Sequence, residues 1–162
     1  MLLYHGGNIT IEEIELRPHN RFLDFGEGFY TTPERKQAER FAQITVDRKG
    51  GKAILNTYEY DEQKAEKLQK RLFPSANKEW LNFIVKNRRG LYKNDEYDII
   101  IGPVANDRVY QTINNYTFGN LSIEEAITRL STWNLYTQYV FCTQIALNTL
   151  RFIKSEEVIQ NG

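Results

Sequence analysis

The pattern of hydrophobic and polar positions changes period several times along the chain, and each change marks an element. "LLYHG" is a short apolar run closed by Gly6 and Gly7, which predicts a buried first strand. From Asn8 to Phe29 the hydrophobic residues recur without a period, and Pro18, Asn20, Gly26 and Gly28 interrupt them. So long a connection in a compact domain is usually functional or mobile. The next segment has helical spacing, with Ala38, Phe41, Ala42 and Thr45 on an inner face and Arg35, Lys36, Glu39 and Arg40 toward water. Two starts fit it: Thr31 with Glu34 as a capping box, or Thr32 followed by Pro33 at the first turn.

"KAILNTYEYD" alternates as a strand does, and "KRLFP" predicts a brief second one stopped by Pro74. Ser75 is the expected cap of a helix in "ANKEWLNFIVKNRR", with Trp80, Leu81, Ile84 and Val85 as its buried stripe. The three isoleucines of "YDIIIGP" suit a central strand buried on both faces. A short helix follows in "VANDRVYQTINNY", and Ser122 with Glu125 forms a capping box before "EEAITRL". "QYVFCT" reads as a strand, then "QIALNTL" as helix and "RFIKSEEVI" as strand. Interspersed strands and helices predict an α+β fold, one domain over residues 1–162, with strand pairing unreadable from the pattern.

Composition narrows the function classes. Lysine plus arginine and aspartate plus glutamate are 21 each, so no global field draws the chain to nucleic acid or an anionic membrane. The local run "KNRRGLYK" reads either as a phosphate patch or as a solvated helix end. One cysteine, Cys142, excludes an internal disulfide and a Cys-rich zinc site, and suits a reducing cytosol. No signal peptide and no stretch of ~20 apolar residues is visible, so the expectation is a cytoplasmic protein without a membrane partner. The aromatic share of 13% is high, and aromatics wall pockets for flat ligands as well as filling cores.

His5 and His19 are the only histidines, and their spacing matches no metal motif, so no metal is expected. The "GEGF" and "GG" glycines fit neither a dinucleotide fingerprint nor a P-loop. His5 ends an apolar strand beside two glycines, where backbone can approach a ligand; a packing role is the plainer reading. Cys142 reads as a small hydrophobe rather than a nucleophile paired with His5. Gln138 opens an otherwise apolar strand, either as an amide in water or as one held at a cleft edge.

Taken in order, "LYHGG", "DFGEGFYTT…QAERFA", "EWLNFIVKNR", "YDIIIGPVANDR" and "QYVFCTQIALNTL" resemble bacterial domain-of-unknown-function family 3990, of the ADP-ribosyltransferase superfamily. The resemblance implies a split mixed β-sheet core with flanking helices and an H-Y-E-type site, with Gln138 in the place of the usual glutamate. It implies NAD as co-substrate, held by His5, Gly6, Phe29, Tyr30, Thr31 and Arg21, with His5, Tyr30 and Gln138 catalytic. Arg17 is an alternative to Arg21 for the pyrophosphate. His5 would bond the ribose hydroxyls, the Gly6 backbone the nicotinamide amide, and Tyr30 would stack on the nicotinamide ring. The Asp24–Gly28 loop is expected to close over the site. Cleavage of the nicotinamide–ribose bond would pass ADP-ribose to a protein or nucleic-acid acceptor, as in toxins neutralised by an antitoxin protein. A silent NAD-binding module on the same scaffold is the alternative, because Gln138 brings no charge. Asp24, Glu27 and Asp107 are the candidate carboxylates to stand in for it, each with the plainer reading of a solvent-exposed loop acid or turn former.

Overall fold

Backbone hydrogen bonding sorts the described strands into two sheets. The computed structural model describes residues 1–17, 23–94 and 96–159. One sheet has three strands in the order β1 (Leu2–Gly7), β3 (Ile54–Tyr60), β7 (Leu150–Glu157), all antiparallel. The other has four, in the order β2 (Phe29–Thr31), β6 (Thr137–Phe141), β5 (Ile99–Pro103), β4 (Lys70–Leu72). Its β4–β5 pair is parallel and the others antiparallel, so the sheet is mixed. The fold is α+β, as the interspersed pattern predicts.

The two inner sheet faces share one apolar layer. Leu3, Tyr58 and Tyr60 from the first sheet meet Phe29, Ile99 and Phe141 from the second. On the outer face of the first sheet lies α1 (Arg35–Lys49), packed on β1. The outer face of the second sheet holds the other core, where Ile100 and Val140 meet side chains of α3 (Lys78–Arg88), α4 (Asp107–Thr117) and α5 (Ile123–Leu130). Two short helices, α2 (Glu62–Ala65) and α6 (Gln144–Leu147), complete the described elements. No described helix is long and apolar enough to cross a membrane.

Several sequence expectations hold and three need correction. The Ser122–Glu125 capping box is present in both directions. Asn77, rather than Ser75, caps α3, because it directly precedes the first turn and its side chain accepts from the Trp80 amide at 2.9 Å. Neither Thr31 nor Thr32 is the N-cap of α1: Glu34 holds that position and offers no side-chain cap. Phe41, placed by spacing on the inner face of α1, is 42% exposed. By angle it lies between Gln37 and Ala38, both buried, so the helix overhangs open space there.

Candidate functional site

The two sheets touch at one point along β1 and β2. Tyr4 and Thr32 exchange both backbone hydrogen bonds, at 2.8 and 3.0 Å, and form an isolated bridge. In a regular antiparallel ladder the next bonded pair would be Gly6 with Tyr30. That pair is absent. The Nδ1 of His5 bonds the Tyr30 carbonyl instead, at 2.7 Å. The imidazole acts as a wedge, and β1 and β2 fork apart around it.

The fork leaves backbone groups free. On β1 the odd residues bond β3, so the Gly6 N–H and C=O point toward β2. Among the described residues neither has a hydrogen-bond partner, and the Tyr30 N–H has none either. Gly6 is half-buried, and a donor beside an acceptor that no described residue pairs suits a ligand carrying both.

The chemistry of His5 follows from its contact. A carbonyl only accepts, so Nδ1 carries the proton and Nε2 is left as a bare acceptor. Burial lowers the pKa of His5, and the bond to Tyr30 only partly opposes this, so the ring is neutral at physiological pH. Phe29 stacks behind it, with centroids 4.4 Å apart. A Cβ on Gly7 would sit 3.5 Å from Nε2, so this glycine keeps the acceptor clear. Gly6 has a different reason: its Cβ would lie 1.8 Å from the Ala38 carbonyl of α1.

Tyr30 faces the α3–α4 side of its sheet, half-buried against that core. Its hydroxyl accepts from the Phe25 amide at 3.0 Å and donates to the Gly26 carbonyl at 2.6 Å. Burial raises its pKa well above the ordinary tyrosine value, so it stays protonated. Residues 24–28 are thereby tied down, against the expectation of a closing loop. Phe25 is fully buried, Asp24 pairs with Arg88 at 2.7 Å, and Gly26 takes φ of +81° to make the turn. This part of the segment is a fixed wall, because lifting it would pull Phe25 from the core.

Gln138 lies one residue beyond the Thr31–Tyr139 pair, on the same sheet face as Val140 and Tyr30. It is 6% exposed, and no described residue hydrogen-bonds its amide. Thr31 and Thr32 hold the strand on either side of it, donating to the Tyr139 and Thr137 carbonyls at 2.9 and 2.8 Å. With Thr32 bridged to Tyr4, Gln138 stands about two strand spacings, roughly 10 Å, from β1. The structure therefore joins His5, Phe29 and the Tyr30 backbone directly. Gln138 is in the neighbouring register, and no hydrogen bond links it to His5.

A family model described as "Protein of unknown function (DUF3990)" matches residues 1–152. The chain belongs to DUF3990. No curated protein and no solved structure matches it.

The other sequence candidates of this DUF3990 chain fall outside the fork or outside the described residues. His19 and Arg21 lie outside the described residues. Arg17 is at the surface, paired with Glu15. Asp107 is exposed at the start of α4 and pairs with Arg40 of α1 at 3.7 Å, while Glu27 is exposed. Neither these acids nor Asp24 touches Gln138. Cys142 is no nucleophile, since burial pushes its thiol up to about 12. Grooves of about 430 and 470 Å³ open near Met1 and near Glu12, and neither includes His5, Tyr30 or Gln138. Among the described residues no cluster of His, Cys, Asp or Glu could hold a metal ion.

Two structural features of this chain were missed from sequence. The free Gly6 edge depends on strand pairing, which the hydrophobic pattern does not encode. Exposed Phe41 could have been suspected only from the glycines of β1, which leave its helix without side chains to cover.

Proposed function

We propose that this chain is an NAD-dependent ADP-ribosyltransferase with an ADP-ribosyltransferase-like split-sheet fold, its site being the fork between β1 and β2. The observation that carries the reading is the unpaired Gly6 N–H and C=O beside the bare Nε2 of His5. A carboxamide such as that of nicotinamide presents one acceptor and one donor set, which matches the Gly6 pair. Nε2 accepts from a ribose hydroxyl, and the Tyr30 ring contributes an aromatic wall for the cationic nicotinamide.

In the reaction the bond between the ribose carbon and the nicotinamide nitrogen breaks, and nicotinamide leaves neutral with the electron pair. A nucleophile of the acceptor bonds to that carbon and gives its proton to solvent. Positive charge grows on the ribose as the bond stretches, and groups aimed at developing charge lower the barrier. Gln138 offers an amide oxygen for this, without a carboxylate's charge. Hydrogen bonds to charged groups contribute about 1.5–3 kcal/mol and neutral ones about 0.5–1.5. The substitution of an amide for a carboxylate therefore slows turnover by roughly tenfold.

One specific observation favours a second reading, a silent NAD- or ADP-ribose-binding module: no carboxylate among the described residues reaches Gln138 to supply the missing charge. Radiolabelled NAD in cell lysate separates the two. Transfer of label to a macromolecule, lost in His5→Ala and Tyr30→Ala, is the result expected of the enzyme. Saturable NAD binding with neither transfer nor nicotinamide release would assign the module instead.

A further inference from the structure

Beside Gln138, the segment that enters β6 runs against the segment that leaves β5. Gly102 pairs with Gln138 and Pro103 with Thr137, and the Val104 amide donates to the Tyr136 carbonyl at 2.7 Å. The surface made by these two segments exposes large aromatics. Trp133 is 41% and Tyr136 44% exposed, in a domain whose other tryptophan, Trp80, is completely buried. Over the Trp133 ring, 5.5 Å from its centroid, lies the guanidinium of Arg108 from the first turn of α4. Among the described residues no carboxylate pairs with Arg108. Arg129, in the last turn of α5 and four residues before Trp133, likewise has no carboxylate partner among the described residues.

Trp133 belongs to neither core cluster, and an exposed tryptophan costs solubility. An unpaired arginine laid on its ring presents a flat apolar face and a cation together. A single nucleic-acid strand presents flat bases and phosphates alternately, so one Trp–Arg unit engages both. A duplex is excluded as the better partner by the balanced net charge, which cannot supply the many phosphate contacts that duplex affinity needs.

We propose that Trp133, Tyr136 and Arg108 form a docking face for single-stranded nucleic acid, which delivers the acceptor base to the fork. The acceptor role rests on the transferase reading; the binding does not. As a group transfer, the ribose carbon loses nicotinamide, gains a bond to a nitrogen or oxygen of the base, and the base releases one proton.

The test uses the full chain and a labelled single-stranded oligothymidylate of about ten nucleotides, a length within the span of known single-strand sites. Anisotropy should report saturable binding that weakens about tenfold or more in Trp133→Ala and in Arg108→Gln, each checked for an unchanged Tm. Ile145→Ala, on exposed α6, should bind as the parent does. With one or two phosphates contacted, log K should fall against log salt with a slope of only about −0.7 to −1.4. Mixed-sequence oligonucleotides with labelled NAD then report transfer. Binding that ignores Trp133 and Arg108, no binding, or label passing instead to protein through these residues would overturn the proposal. Binding through Trp133 with no NAD cleavage upholds the face and rejects the transferase reading.

Discussion

At the scale of single residues, His5 does two jobs that usually fall to different groups. It replaces a ladder hydrogen bond with a side-chain bond to Tyr30, and so creates the fork; its other nitrogen then faces the space created. Its lowered pKa links that role to stability. The unfolded chain binds a proton on this histidine below its ordinary value of 6.5, while the folded chain does not until lower pH. The neutral-ring contribution is therefore complete above 6.5 and is lost as pH falls through the depressed folded value. Thermal melts from pH 7 to 4.5 should show a smaller acid loss of Tm for His5→Asn than for the parent. Equal slopes in the two proteins would show that the ring is not held neutral.

The two adjacent glycines separate packing from function. Gly6→Ala places a methyl against the backbone of α1 and should cost about 3 kcal/mol or more, since overpacking at a rigid contact finds no easy relief. Gly7→Ala meets only the His5 ring at ordinary contact distance, so its Tm should not fall. Its methyl nevertheless crowds Nε2, and NAD affinity measured by calorimetry should drop. A Gly7→Ala protein that binds NAD as the parent does would remove Nε2 from the site.

At the scale of elements, period and capping chemistry made much of the chain legible. "YDIIIGP" is the interior strand β5, and the Ser122–Glu125 box starts α5. The misreadings arise where tertiary contacts outbid local chemistry. Thr31 and Thr32 look like caps, yet both hydroxyls donate to carbonyls of β6, over a hundred residues away, and Thr32 accepts only from the Glu34 amide, one residue short of the helix. Phe41 has the spacing of a core residue, but the strand beneath its helix carries glycines. The flexible composition of "DFGEGFYTT" suggested a lid; Phe25 and the Tyr30 hydroxyl make it a wall, and no local pattern announces where a loop aromatic will pack.

Element geometry also explains the position of Gln138. Its strand is clamped on both sides by threonine hydroxyls that are 3 and 4% exposed, while no described residue hydrogen-bonds its own amide. Only the resemblance to ADP-ribosyltransferases singled out this residue from sequence. What could not be read there is that it sits a register step from the β1–β2 bridge, since pairing of β2 with β6 joins segments from opposite ends of the chain.

At the scale of the whole molecule, two sheets packed face to face and meeting at one bridge produce a fork whose Gly6 backbone no described residue pairs. Helices α1 and α4 flank it, linked by the exposed Arg40–Asp107 pair. Such an exposed pair contributes at most about 1 kcal/mol, so the separation of the sheets rests on their two cores rather than on this contact. Trp133 and Tyr136 lie on the segment that leads into β6 and Gln138, so the proposed acceptor surface and the proposed donor site share that strand.

The central claim is that Gln138 occupies the position where charge develops as NAD is cleaved. Restoring the carboxylate tests it most directly: Gln138→Glu, verified as folded by its Tm, is assayed for nicotinamide release from NAD. The expected result is an increase of roughly tenfold or more over the parent, abolished when His5→Ala is added. Release that is unchanged by Gln138→Glu in a folded protein would contradict the account.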